Sequence, residues 1–225
     1  MLSRIKAILN ESGYVLNTKA YQLNIVGVRS PSVNSNSFDD EIHVFYKKLD
    51  SKWNYHVFPA TTDPGTFWLN NPSYEQGTAI LAQGQYRNAY AIGKHKGLYT
   101  ALVQVRPVTV IRDYDRDALL DFYNGSKQTG NFGINIHRAE SFGETKFINK
   151  YSAGCQVFQN AKDFNEFIQL CEHHRRFYGN SFTYTLVDLR SIRRITLKRV
   201  VAVSTVVAAL LLGWTIKNSI DYEPA

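Results

Sequence analysis

Two short runs in which apolar and polar residues alternate, EIHVFYKK at 41–48 and WNYHVFPA at 53–60, are separated only by LDSK. Alternation with a period of two is typical of strands, and a four-residue connection suits a hairpin. The chain also contains 14 Tyr and 13 Phe with many Val, Ile and Thr residues, which pack well on a pleated surface. The sequence therefore predicts a mainly β fold of the β-rich α+β class.

Two segments show helical spacing instead. Residues 1–13 predict a short amphipathic helix, and a long helix is predicted over 161–178, with Gly179 placed to end it. Cys171 falls on the apolar face of the long helix, which predicts a buried and unreactive thiol. A disulfide with Cys155, the other cysteine of the chain, is the alternative.

A length of 225 residues suits one domain with a sizeable core, which we assign to residues 1–189. Within the remaining segment, 190–225, residues 200–216 carry no charge over seventeen positions. As a helix this run would measure about 25 Å, close to the roughly 30 Å of a bilayer core. We therefore expect a single C-terminal transmembrane helix, and a buried core helix is the alternative.

Basic residues cluster directly before the uncharged run. Within ten positions they are Arg190, Arg193, Arg194, Lys198 and Arg199. Without these five, the formal net charge of +7 falls to +2, so we expect no nucleic-acid partner. A positive flank of this kind, together with the lack of a recognisable signal peptide at the start, predicts that residues 1–199 lie on the cytoplasmic or interior side of a membrane.

The stretch from 132 to 158 carries the most chemical information. His137 ends the strand-like run FGINIH, and Ser152, Ala153 and Gly154 lead directly into Cys155. A cysteine nucleophile needs a nearby base, partial exposure and backbone N–H donors for the attacked carbonyl. Small residues let the backbone turn sharply and present such donors. The chemistry alone leaves the alternative of a buried cysteine and a hydrogen-bonded strand histidine open.

The spacing from His137 to Cys155 resembles that of the L,D-transpeptidase catalytic domain family, in which a histidine is followed by a Ser-His-Gly-Cys motif. The upstream stretch FPATTDPGTFW at 58–68 is similar to a Thr-Pro-x-Gly-x-Phe loop of that family. The resemblance covers roughly residues 40–188. It implies a β-sandwich with one long helix after the catalytic cysteine.

Carried over residue by residue, the resemblance implies that Cys155 is the nucleophile and His137 the base, with Gly154 and Ser152 in the catalytic turn. We expect the pKa of Cys155 to be lowered, so that the thiol is alkylated well below pH 8. The backbone N–H groups around Gly154 and Cys155 would hold the oxyanion.

Two positions depart from the family pattern. Ala153 replaces the motif histidine, and Gln156-Val157 stand where the family has Ile-Arg. Arg138, next to His137, can place a guanidinium nearby. The residues that we expect to contact the substrate are Arg138, Ala153 and Gln156.

The implied activity is acyl transfer from a peptidoglycan stem peptide through a thioester, ending in transpeptidation or hydrolysis, with no cofactor required. Because peptidoglycan lies outside the cytoplasmic membrane, an interior-facing domain suits a phage lytic enzyme or a virion-associated wall enzyme. The alternative is a non-catalytic, tail-anchored module that binds a peptide or a partner protein.

One acidic stretch, RDYDRDALLDF at 112–122, has carboxylates at alternate positions that can converge on a calcium ion. The candidate ligands are Asp113, Asp115, Asp117 and Asp121. A solvated turn with internal arginine counter-ions is the alternative. His43, His56 and His95 are isolated in strand-like or turn sequence, for which surface or core placement is the default expectation.

Overall fold

The computed structural model describes residues 1–191. Met1–Asp188 forms one compact unit. Most of the basic cluster and the uncharged run at 200–216 lie outside the described residues. Within 1–191, no helix is both long enough and apolar enough to cross a membrane.

Strands dominate this part of the chain, which confirms the mainly β expectation. The helices are α1 (Leu2–Glu11), α2 (Thr66–Asn70) and α3 (Ala161–Tyr178). The strands are β1 (Asn24–Arg29), β2 (Asp40–Lys47), β3 (Trp53–Thr61), β4 (Thr78–Leu81), β5 (Gly84–His95), β6 (Tyr99–Gln104), β7 (Val108–Asp113), β8 (Lys127–Gly130), β9 (Ile136–Arg138), β10 (Gln156–Phe158) and β11 (Phe182–Asp188).

Eight strands close into a barrel in the order β1-β11-β5-β6-β9-β10-β3-β2, and β4, β7 and β8 form a separate three-stranded sheet. The predicted hairpin is confirmed, since β2 and β3 pair antiparallel from Asp40↔Ala60 to Lys47↔Trp53. The expected sandwich of two facing sheets is not what the strands form. Because β1 pairs with both β11 and β2, the main sheet closes on itself.

Helix α3 confirms the second helical prediction and fixes β10 in place. Asn160 caps its start by accepting a hydrogen bond from the Lys162 N–H at 2.8 Å. Phe164 and Phe167 pack against Phe158 of β10, with ring centroids 5.5 and 4.8 Å apart. Cys171 is fully buried on the same face, as predicted, and both cysteines are free thiols.

A buried ionic network joins β1 to the ends of β2 and β3. Arg29 is only 1% exposed, and its Nε lies 2.8 Å from Asp63 Oδ1. The same guanidinium donates to Thr62 Oγ1 and to the carbonyl oxygens of Thr62 and Leu81. Burial, and then the neighbouring Asp63, raise the pKa of Asp40 to about 8. Arg29 opposes this rise and pairs with Asp63, so its charge favours the ionised form of both buried carboxyl groups.

The substitution Arg29→Met keeps much of the side-chain length and removes the cation. Breaking a buried ion pair costs about 3–5 kcal/mol, so we expect a loss of this size in the free energy of unfolding in urea at pH 8. A raised pKa in the folded protein means that stability falls as pH rises from about 4 toward about 8. The loss should therefore be smaller at pH 5, where the protonated Asp40 carboxyl needs no cation.

A matched control is Lys52→Met, because the Lys52–Asp50 pair is solvent-exposed at 3.7 Å. Its cost should stay below about 0.5 kcal/mol. An equal loss for Arg29→Met at both pH values would contradict the assignment of the network as ionic.

Candidate active site

The turn before Cys155 is held by Ser152 and Gly154. Ser152 Oγ accepts from the Gly154 N–H at 3.1 Å and donates to the Cys155 carbonyl at 2.8 Å. Gly154 has φ +117°, and a Cβ added there would lie 2.2 Å from the Ala79 carbonyl oxygen. Ser152 is fully buried, so it positions the turn and does not itself meet a substrate.

Cys155 lies at the end of the turn and, as a residue, is partly exposed. Its sulfur accepts from the Asn135 N–H and donates to the Gly133 carbonyl, both at 3.4 Å. Burial raises the pKa of Cys155 to about 11, although the Asn135 N–H and Lys96 act in the opposite direction. The expectation of a lowered thiol pKa is therefore not met in the resting site.

His137 is held as a neutral base. Its Nδ1 lies 2.7 Å from the Arg138 carbonyl oxygen, and a carbonyl can only accept, so Nδ1 carries the proton. The Tyr99 hydroxyl lies 3.2 Å from the same Nδ1 and donates to the same carbonyl. Burial, followed by the neighbouring His95, lowers the pKa of His137 to about 3. Nε2 therefore keeps its lone pair.

The sulfur and the imidazole belong to neighbouring chain segments. β9 and β10 pair in parallel, with His137 opposite Val157, two residues beyond Cys155. Burial raises the pKa of Tyr99, with Arg138 opposing the rise and Cys155 adding to it, and the hydroxyl of this tyrosine contacts His137. Among residues 1–191, no hydrogen bond joins His137 to Cys155. Such catalytic bonds are often long in a free enzyme and shorten when substrate binds.

His95 belongs to this site although nothing in the sequence marked it. Its ring stacks on His137 with centroids 4.1 Å apart and planes at 23°. Its Nδ1 lies 3.0 Å from Asn135 Nδ2. The Asn135 side-chain oxygen already accepts from the Gln104 N–H, so the amide nitrogen faces His95. Only the pairing of β6 with β9 brings the β5–β6 turn to this place.

The three residues predicted to contact the substrate lie in different environments. Arg138 lies over the Tyr99 ring at 4.5 Å, and the hydroxyl of that tyrosine contacts His137. Ala153 is exposed. Gln156 corrects the prediction, because it is fully buried, accepts from the Tyr184 hydroxyl at 2.8 Å and donates to the Thr62 carbonyl.

The two N–H groups expected to hold the oxyanion also differ in their hydrogen bonding. The Gly154 N–H is already bonded to Ser152 Oγ. Within the described part of the chain, the Cys155 N–H meets no acceptor, so it is the donor left for an oxyanion. The prediction that both amides serve this role is corrected to one.

The four candidate calcium ligands do not form a metal site among the described residues. In residues 1–191, no group of three or more His, Cys, Asp or Glu side chains could hold a metal ion. Asp113, Asp115 and Asp117 instead accept from the backbone N–H groups of Asp121, Asp117 and Leu119. Burial raises the pKa of Asp113 to about 6, which disfavours the charged form that calcium binds.

Comparison with protein-family models, with curated proteins and with solved structures found no match to this chain. The resemblance to L,D-transpeptidases therefore rests on the residues and spacing of the site itself.

The two thiols should differ in reactivity in a way that tests the raised pKa. At pH 7 we expect Cys155 to react with iodoacetamide at least tenfold more slowly than an unstructured cysteine, whose pKa is about 8.5. Its rate should rise steeply only toward the pKa of about 11. Cys171 should stay unmodified until urea unfolds the chain. Peptide mapping by mass spectrometry separates the two, and a Cys155 rate midpoint below pH 8 would restore the thiolate hypothesis.

Gly154→Ala should destabilise the protein by roughly 2–4 kcal/mol, because both the positive φ and the contact with Ala79 oppose a Cβ. Gly143→Ala is the control, since Gly143 has φ +72° but no atom within 4 Å of an added Cβ. Its cost should be about 1–2 kcal/mol. If the two variants lose the same free energy of unfolding in urea, the close contact with Ala79 makes no energetic contribution.

Proposed function

We propose that the protein is a cysteine acyltransferase or peptidase that acts on peptidoglycan stem peptides through a thioester. The observation that carries this proposal is the tautomer of His137. The Arg138 carbonyl holds the proton on Nδ1 and leaves Nε2 as a base, on the strand adjoining a partly exposed Cys155.

The reaction starts from a neutral pair. The Cys155 thiol gives its proton to His137 Nε2 as the sulfur attacks the carbonyl carbon, and the Cys155 N–H stabilises the oxyanion. Collapse of this intermediate breaks the C–N bond, and the imidazolium protonates the leaving amine. The thioester is then opened by an acceptor amine or by water.

The order of elements supports the more specific L,D-transpeptidase-like assignment. A histidine in β9 is followed by a turn of small residues, the cysteine, β10 and the long helix α3. Tail anchoring through 200–216 and a phage lytic or virion-associated setting belong to the same proposal. They rest on the charge and hydropathy of the C-terminal segment.

One observation favours a second function. A thiol with a pKa raised to about 11 is a poor nucleophile at rest, as in a domain that binds peptides without turnover. The non-catalytic, tail-anchored module therefore stays as the competing proposal.

Mass spectrometry of muropeptides separates the two functions. Peptidoglycan incubated with the wild type should gain cross-linked or cleaved peptides, and Cys155→Ala should return the profile to that of untreated peptidoglycan. His137→Gln should lower the rate by about 10²–10⁴-fold, the usual contribution of a general base. Intact-protein mass should show an acyl adduct on the wild type only.

Cys171→Ala is the matched control, because it removes the buried thiol outside the site and should leave the products unchanged. Thermal unfolding of each variant checks that the fold is retained. Identical muropeptide profiles for the wild type and Cys155→Ala would refute the enzyme and support the binding module.

A further inference from the structure

Two arginines of residues 1–191 are almost completely buried, and only one has an anionic partner. Arg29 pairs with Asp63. Arg112, on β7, is 4% exposed, and no carboxylate in the described residues lies within ion-pair distance of it. Because burying a cation without a counter-ion is costly, an anion that reaches Arg112 from outside this part of the chain would be bound favourably.

The guanidinium of Arg112 is held in place by its neighbours, but some of its N–H donors have no acceptor among the described residues. The rings of Tyr74 and Phe132 lie 5.3 and 5.0 Å from it. Its Nε donates to Gln128 Oε1 at 2.8 Å and its Nη1 to the Gly77 carbonyl at 3.3 Å. Of the five N–H groups of an arginine, the other three meet no acceptor in residues 1–191. A planar guanidinium held in this way, with free N–H donors, is suited to binding a carboxylate.

Arg112 lines a cavity of about 100 Å³ next to the catalytic turn, together with Trp68, Thr78, Ile134 and Ala153. This volume equals that of about three water molecules, which is enough for a carboxylate and the carbon that bears it. Ala153 lies two residues from Cys155, so their Cα atoms are at most about 7 Å apart.

The segment that follows β8 touches both the cavity and the Cys155 sulfur. Phe132 and Ile134 line the cavity, whereas Gly133 and Asn135 make the hydrogen bonds to Cys155. The cavity and the thiol therefore border the same four residues, 132–135.

We propose that this cavity is a carboxylate subsite, in which Arg112 binds a free carboxylate of the acyl-donor peptide close to the attacked carbonyl. The inference deepens the proposed function and rests on it for the identity of the substrate. It makes Arg112 a specificity-determining residue: donors with a free carboxylate near the reacting carbonyl are accepted, and the corresponding amides are rejected.

The test is a binding measurement that needs no catalysis. Full-length Cys155→Ala protein is titrated with N-acetyl-D-alanine and, separately, with its primary amide. Nitrogen-edited NMR follows the Trp68 indole N–H and the Arg112 Nε–H. We expect saturable shifts of both signals with the acid and at least tenfold weaker binding of the amide.

Variants in the same background separate charge from shape. Arg112→Gln should weaken binding of the acid at least tenfold. Lys127→Gln, which removes an exposed positive charge from the neighbouring strand β8, should leave it unchanged. If Arg112→Gln fails to fold, Ala153→Leu gives a second test, because a larger side chain at this exposed position fills the cavity and should abolish binding.

Equal affinity for the acid and the amide, or wild-type affinity in Arg112→Gln or Ala153→Leu, would overturn the subsite. The two proposals fail separately. If binding of the acid depends on Arg112 but the muropeptide products do not depend on Cys155, the enzyme proposal is refuted and the carboxylate site is retained. If Arg112→Gln leaves turnover unchanged, only the carboxylate-site proposal is refuted.

Discussion

The short parallel pairing of β9 with β10 is the contact on which the site depends. It joins only three residues of each strand, Ile136–Arg138 and Gln156–Phe158, yet it continues the barrel between β6 and β3 and sets His137 next to the segment that carries Cys155. Helix α3 supports the pair from the core side, because Phe164 and Phe167 pack on Phe158. Neither strand is long enough to hold this position alone.

Desolvation determines the electrostatic state of the site. Burial raises the pKa of Cys155 and lowers that of His137, and both shifts favour the uncharged form. The resting pair is thus a thiol and a neutral imidazole, and the charged thiolate–imidazolium pair arises only during attack. The stacked ring of His95 adds to this effect, since a proton on either imidazole disfavours a second one.

The two buried arginines show how the same residue serves structure and recognition. Arg29 is satisfied by Asp63, Thr62 and Leu81, so its charge is used inside the fold. Arg112 is held by aromatic rings, one amide and one carbonyl, none of which is an anion. A buried cation that the described chain leaves without a counter-ion is a feature of binding sites more than of cores.

The sequence by itself determined the local structure: the β2–β3 hairpin, the helices α1 and α3, the burial of Cys171, and a turn of small residues before Cys155. These follow from periodicity and from the conformational freedom of glycine, which act between residues close in the chain. The tertiary structure alone decided the closure of the barrel, the inward turn of Gln156, the stacking of His95 on His137 and the direction of both pKa shifts. Each of these depends on which distant strand becomes a neighbour and on how much water it displaces, and a period-two pattern specifies an apolar face without naming its partner.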